Sequence, residues 1–158
     1  MIMKTKVFIF LYCAVALLSC KQAQTDVQPV QLKGTWQLLS ATTKENGKQT
    51  VVDFTKGNKH MIKIINDTHF AFLNHDLDTA KNMNNRFDAG GGSYTLKGDQ
   101  YTESLDFYKD KNWEGKTFNF KVTINKDTLI QTGIEKVEAA GVDRIITEKY
   151  VRVKERIK

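Results

Sequence analysis

One carboxylate stands where a strand should carry only apolar side chains. In Tyr101–Phe107, the residues Tyr101, Leu105 and Phe107 form an apolar face, and a period of two places Glu103 among them, with Thr102, Ser104 and Asp106 opposite. A carboxylate so placed needs an ionic partner, a hydrogen bond or a proton, because an isolated buried charge is too costly to keep. Arg152, Tyr150 and His69 are partners of the right type. Two roles are open: an internal salt bridge that fixes strand register, or a polar anchor inside a ligand cavity.

Other residues with chemical potential form weaker patterns. His75-Asp76-Leu77-Asp78 gathers an imidazole and two carboxylates, but its spacing fits no zinc pattern, and Ala80 and Lys81 stand where a calcium loop needs an oxygen ligand and a glycine. We therefore expect neither a metal nor a cofactor. No Gly-x-Ser-x-Gly elbow occurs, and no motif places a histidine beside Ser40, Ser93 or Ser104. Glu103 and Glu148 are the one carboxylate pair that could face each other across a cavity. Gly90-Gly91-Gly92 lacks the following Lys-Ser or Lys-Thr of a phosphate loop and leads into a strand pattern, so it reads as a bend before Ser93. These residues give no expectation of an enzyme.

The elements that would position these groups are strands. Phe118, Phe120, Val122 and Ile124 alternate with Asn119, Lys121 and Thr123, the pattern of a strand with one buried and one wet face. Comparable runs at Thr35–Thr42, Met61–Ile65, His69–Asn74, Ser93–Lys97, Tyr101–Phe107, Thr128–Ile134 and Ile145–Val153 bring the total to eight, with no convincing helix. Asn46-Gly47, Asn66-Asp67, Gly98-Asp99, Glu114-Gly115 and Lys126-Asp127 supply turn chemistry between them. Short links imply antiparallel neighbours, so the expectation is an all-β, eight-stranded antiparallel up-and-down barrel over residues 32–154, with a two-sheet sandwich as the competing architecture. An eight-stranded barrel has room for a packed interior or one small ligand.

Ahead of that domain, Lys4 and Lys6 precede a twelve-residue apolar run, Val7–Leu18, that is too short to span a bilayer. Leu17-Leu18-Ser19-Cys20 resembles the lipobox of bacterial lipoproteins. The resemblance implies a signal peptide at 1–19 and a Cys20 that carries a thioether-linked diacylglycerol and an N-acyl chain. Three chains at about 0.8 kcal/mol per buried methylene make a lasting anchor. Cleavage would remove Cys13 and lower the formal charge from +6 to +4. Residues 20–31, polar and holding the only proline, Pro29, read as an acylated cysteine and flexible tether. Lys21 does not resemble an inner-membrane retention signal, and Gln22–Thr25 lacks the acidic residues that would resemble a surface-export signal, so the expectation is an anchor on the periplasmic face of an outer membrane. Such an exported chain has no expected nucleic-acid partner.

Leu32-Lys33-Gly34-Thr35-Trp36 resembles the Gly-x-Trp opening of lipocalins, with Arg152 in the last strand as the basic residue that packs on the tryptophan. Thr68–Phe70, Gly90–Leu96, Gly98–Glu103 and Glu148–Lys154 are similar, in order, to the signatures of a lipocalin-like (calycin-type) lipoprotein family of Bacteroidota with no assigned activity. Tyr150 departs from that pattern, where relatives often have tryptophan. The resemblance implies a structural role for Trp36 and Arg152, a cation–π contact worth about 0.5–2 kcal/mol.

These readings converge on a lipid-anchored envelope protein that binds a small apolar or amphipathic molecule non-covalently. Phe70, Phe72, Tyr94, Phe118 and Phe120 would line the barrel, and Tyr101, Glu103 and Tyr150 would orient the ligand. The alternative is a protein-interaction module with a filled core that acts through its surface and loops. A continuous pocket above roughly 300 Å³ favours the first and a close-packed interior the second. For the anchor, Cys20→Ser is expected to move the protein from the membrane to the soluble fraction on cell fractionation, since a hydroxyl forms no thioether. Full retention in the membrane would refute the lipoprotein reading.

Overall fold

The alternating pattern becomes a closed sheet. The computed structural model describes residues 30–77 and 86–154, so the leader, Cys20, most of the tether and Asp78 of the histidine segment lie outside the described residues. These form ten strands: β1 (Gly34–Glu45), β2 (Lys48–Asp53), β3 (Lys59–Ile65), β4 (His69–Asp76), β5 (Phe87–Lys97), β6 (Gln100–Leu105), β7 (Phe107–Tyr108), β8 (Lys116–Asn125), β9 (Thr128–Val137) and β10 (Val142–Arg152). One 3-10 turn, Glu138–Ala140, links β9 to β10.

Every pairing is antiparallel, and β10 returns to β1 in a register running from Trp36 opposite Arg152 to Lys44 opposite Ile145. That pairing closes the sheet and excludes the sandwich. Two strands are interrupted: β3 and β2 lie end to end along one edge of β1, and β6 and β7 lie end to end along β5. The barrel thus has eight staves in up-and-down order, as the alternation and the lipocalin resemblance imply. Strand β2 was not foreseen because all six of its residues are exposed and leave no alternation to read. It forms from the Asn46-Gly47 turn, whose φ values of 49° and 74° suit the right-handed twist of a hairpin.

Two local expectations are corrected. Gly90–Gly92 is not a bend but the middle of β5. At Gly90 a Cβ would lie 2.8 Å from the Phe72 ring and 2.9 Å from Tyr108, so the missing side chain makes room for two inward rings. Phe107 does not share the inner face with Tyr101 and Leu105; it is 68% exposed. Between the Tyr94–Glu103 and Gly91–Phe107 pairs the chain has one residue more on the β6–β7 side than on β5, and this bulge at Asp106 reverses the facing. Asp106 fixes it by accepting hydrogen bonds from the Ser93 amide and hydroxyl at 2.8 and 3.0 Å. Tyr108 faces inward in place of Phe107.

The core occupies one end of the barrel. Trp36 is wholly buried and donates from Nε1 to the Leu32 carbonyl at 2.8 Å, while the Arg152 guanidinium stacks 4.0 Å from its ring centre. Arg152 also donates to the Lys33 and Gln31 carbonyls at 2.6 and 2.8 Å, tying the incoming chain across the barrel base. Gly34 is needed beside it, because its φ is +136° and a Cβ would stand 2.6 Å from Arg152 Nη1. Leu38, Tyr101, Val122, Leu129 and Tyr150 complete a layer with almost no exposure. Trp36→Ala is expected to cost about 3–5 kcal/mol. Urea unfolding measures this, and an unchanged midpoint would show that the indole does not close the base.

Candidate functional site

Strand β3 carries the apolar-looking run Met61-Ile62-Lys63-Ile64-Ile65, and its inner face is Met61, Lys63 and Ile65. Lys63 therefore enters the barrel. Its ammonium donates to Glu103 Oε1 at 2.6 Å and to Gln131 Oε1 at 3.1 Å, with the Lys63 and Glu103 side chains only 3% and 9% exposed. The Phe70, Tyr101 and Tyr150 ring centres lie 5.4, 5.9 and 5.6 Å from the same nitrogen, so three aromatic groups surround the desolvated cation. Glu103 does point inward, but its partner is none of the three expected. Arg152 is held at the base, the Tyr150 hydroxyl donates to Glu148 Oε2 at 2.8 Å, and His69 Nδ1 shares a hydrogen bond with the Thr68 hydroxyl in an exposed turn.

Above this pair the barrel is hollow. A cavity of about 210 Å³ is walled by Phe70 and Phe72 of β4, Phe118 and Phe120 of β8, Leu105, Ile146, Met61, Tyr108 and Trp113. Lys63, Glu103, Gln131, Glu135, Arg144 and Glu148 supply its polar surface. Of the residues expected to contact a ligand, Phe70, Phe72, Glu103, Phe118 and Phe120 are brought together here. Tyr94, Tyr101 and Tyr150 are not on this wall. The Tyr94 hydroxyl donates to the Asn66 carbonyl at 2.8 Å, and Tyr101 and Tyr150 belong to the packed layer below. The buried Tyr101 hydroxyl has no hydrogen-bond partner among the described residues; burial first, then the Glu103 charge, raises its pKa.

The mouth is built by the loop after β7 and the start of β10. Trp113 packs 5.7 Å from Phe118, and the Arg144 guanidinium lies 5.8 Å over its ring while pairing with Glu135 Oε2 at 2.6 Å. Arg144 keeps 30% of its side chain exposed, so this end reaches water. Tyr108 donates to Asp88 Oδ2 at 3.0 Å, and burial together with that bond pushes its phenol up to about 12.

Glu148 is electrostatically distinct. Burial raises its pKa, against the opposing pull of Lys63 and the Tyr150 hydrogen bond. A folded-state value above the unfolded 4.5 means that this group's contribution to stability is fully present below 4.5 and is lost as pH rises through the folded value. Its ionised form is thus a liability to the fold. The surface it still exposes faces the cavity.

The model of a domain of unknown function, DUF4488, matches residues 31–158. The chain belongs to the DUF4488 family. No curated protein matches the chain. Among solved structures, a lipocalin-like protein from Bacteroides uniformis is 18% identical, with a TM-score of 0.48, over 77% of this chain and 98% of its own. An uncharacterized protein from Bacteroides eggerthii is 15% identical, with a TM-score of 0.42, over the same shares. The barrel assignment rests on the strand pairing itself.

In this DUF4488 domain, sequence reasoning missed Lys63, Gln131, Glu135, Arg144, Tyr108 and Trp113. Lys63 was hidden because apolar residues lie on both faces of β3, so alternation has two solutions, and the one that turns Ile62 and Ile64 inward leaves the lysine in solvent. The available signal was Glu103 itself, which demanded a cation from some other strand. Gln131 and Glu135 lie on the inner face of β9 between Leu129 and Val137, so polar side chains interrupt a face that is apolar at both ends. Chemically, the site offers aromatic walls and a charged floor suited to holding a polar head.

Glu103→Gln leaves a buried ammonium against an amide and is expected to destabilise the fold by about 3–5 kcal/mol. Lys63→Met combined with Glu103→Leu is expected to recover most of that loss, because packing replaces the pair. A double-mutant cycle followed by urea unfolding reads the coupling; strictly additive losses would show that the two side chains do not act together.

Proposed function

We propose that this DUF4488 protein is a lipid-anchored binding protein of the cell envelope that takes a small amphipathic molecule non-covalently into the upper half of its barrel. The observation that carries this reading is the aromatic cavity ending on the Lys63–Glu103 pair. A protein that needed only stability would fill that volume, since an unfilled core forfeits transfer and dispersion energy. Instead the walls stand apart and charged residues face the opening.

The volume limits the occupant. At about 210 Å³ the cavity is neither the pocket above roughly 300 Å³ that would favour ligand binding outright nor the close-packed interior of an interaction module, and the base beneath it is packed solid. A long-chain lipid does not fit inside. A ligand with one small ring or a short alkyl group and a polar end matches both the walls and the floor, which narrows the apolar-or-amphipathic expectation to its amphipathic half.

The test is titration of the mature protein with benzyl alcohol, read by NMR shifts, together with native mass spectrometry of protein from its own host. Expected results are saturable shifts at Phe118, Phe120 and Ile146 and a small molecule released on denaturation. Leu105→Trp, which fills the cavity, is expected to abolish the shifts and leave the fold intact. Shifts confined to the outer surface, with no retained molecule, would overturn the reading in favour of an interaction module.

A further inference from the structure

We infer that the occupant of the barrel is a cation, and that the cavity holds the ammonium group of a small amine against the Glu148 carboxylate. This rests on the small-molecule reading above and names the chemistry of its ligand. The charges that line the cavity do not balance. Three carboxylates, Glu103, Glu135 and Glu148, face two cations, Lys63 and Arg144. Lys63 is committed to Glu103 and the Gln131 oxygen, and Arg144 to Glu135. Glu148 receives only the Tyr150 hydroxyl, and no lysine or arginine among the described residues forms an ion pair with it.

Lys63 cannot serve both acids equally. Its nitrogen is fixed by the 2.6 Å bond to Glu103, the 3.1 Å bond to Gln131 and the three rings around it, so it attracts Glu148 without touching it. The floor therefore presents to the cavity one acid with no cation of its own. An anionic or a neutral ligand would leave it unpaired. A ligand ammonium pairs with its ionised form, gaining a charge-assisted hydrogen bond in a low-dielectric site, while its apolar part lies on the Phe118 and Phe120 rings. The raised pKa of Glu148 agrees with this geometry: it is what a carboxylate shows when burial is not matched by a counter-charge.

A matched series tests the charge alone. Benzylamine, benzyl alcohol and benzoate, close in size, are titrated at neutral pH into the mature wild-type protein by calorimetry. Benzylamine is expected to bind at least about tenfold more tightly than the alcohol, and benzoate not measurably. Glu148→Gln, whose amide oxygen still accepts from Tyr150, is expected to fold and to abolish the preference for benzylamine over the alcohol. Equal binding of amine and alcohol to the wild type would overturn the cation assignment while leaving a small-molecule site in place. Undiminished amine binding by Glu148→Gln would overturn the role of Glu148. Failure of all three probes would overturn the inference, and with the shift experiment negative as well, the binding reading beneath it.

Discussion

The ion pair between Lys63 and Glu103 divides the interior of the barrel into two halves of different character. Below it, aromatic and aliphatic side chains pack to near-zero exposure; above it, the walls stand apart. The two partners come from staves separated by β4 and β5, and Gln131 comes from β9, so the pair and its amide link three regions of the sheet across the barrel. A buried pair of this kind contributes little net stability, because desolvation offsets most of the Coulomb attraction. Its structural value lies in the penalty for breaking it. Any register slip of β3 or β6 would turn one charge outward and strand the other, a cost of several kcal/mol that neighbouring apolar contacts alone would not impose.

The closed end and the open end follow from the same rule applied to different residues. At the base, Arg152 donates to two carbonyls and stacks on the Trp36 ring, which fixes the guanidinium against the closed end. At the mouth, Arg144 is likewise paired with Glu135 and stacked on Trp113, but partly exposed. Strand β10 carries both arginines together with Ile146, Glu148 and Tyr150 on its inward side, so one strand runs from solvent through the cavity to the base. The side-chain chemistry of the whole interior is graded along it.

The barrel was legible in the chain because period-two alternation is strong wherever one face is wholly apolar, as in Phe118–Ile124. Legibility failed where both faces are mixed. Met61–Ile65 gives no preference between its two facings, and the Asp106 bulge reverses the facing between Leu105 and Phe107 without any sequence signal stronger than an acidic residue in a strand. Glu103 was readable as an inward charge because its neighbours Tyr101 and Leu105 are unambiguous. Its partner was not, since alternation locates a side chain on a face of its own strand and carries no information about which distant strand lies opposite. Tyr94, Tyr101 and Tyr150 were read onto the cavity wall for a related reason. Facing inward and lying at cavity height are separate properties, and only the register of the closed sheet determines the second.

The same distinction bears on why an acid persists at Glu148. Its position on β10 faces inward regardless of function, between Ile146 and Tyr150, and an apolar residue there would spare the fold the cost of a poorly compensated carboxylate. Glu103 has a structural reason to be charged, namely Lys63. Glu148 has only a hydroxyl, and a glutamine could accept that bond equally well. An acid kept where a neutral isostere would satisfy every contact within the protein is the feature on which our cation proposal turns. In a cavity with one unpaired acid and aromatic walls, the occupant we propose is a small molecule bearing a positive charge.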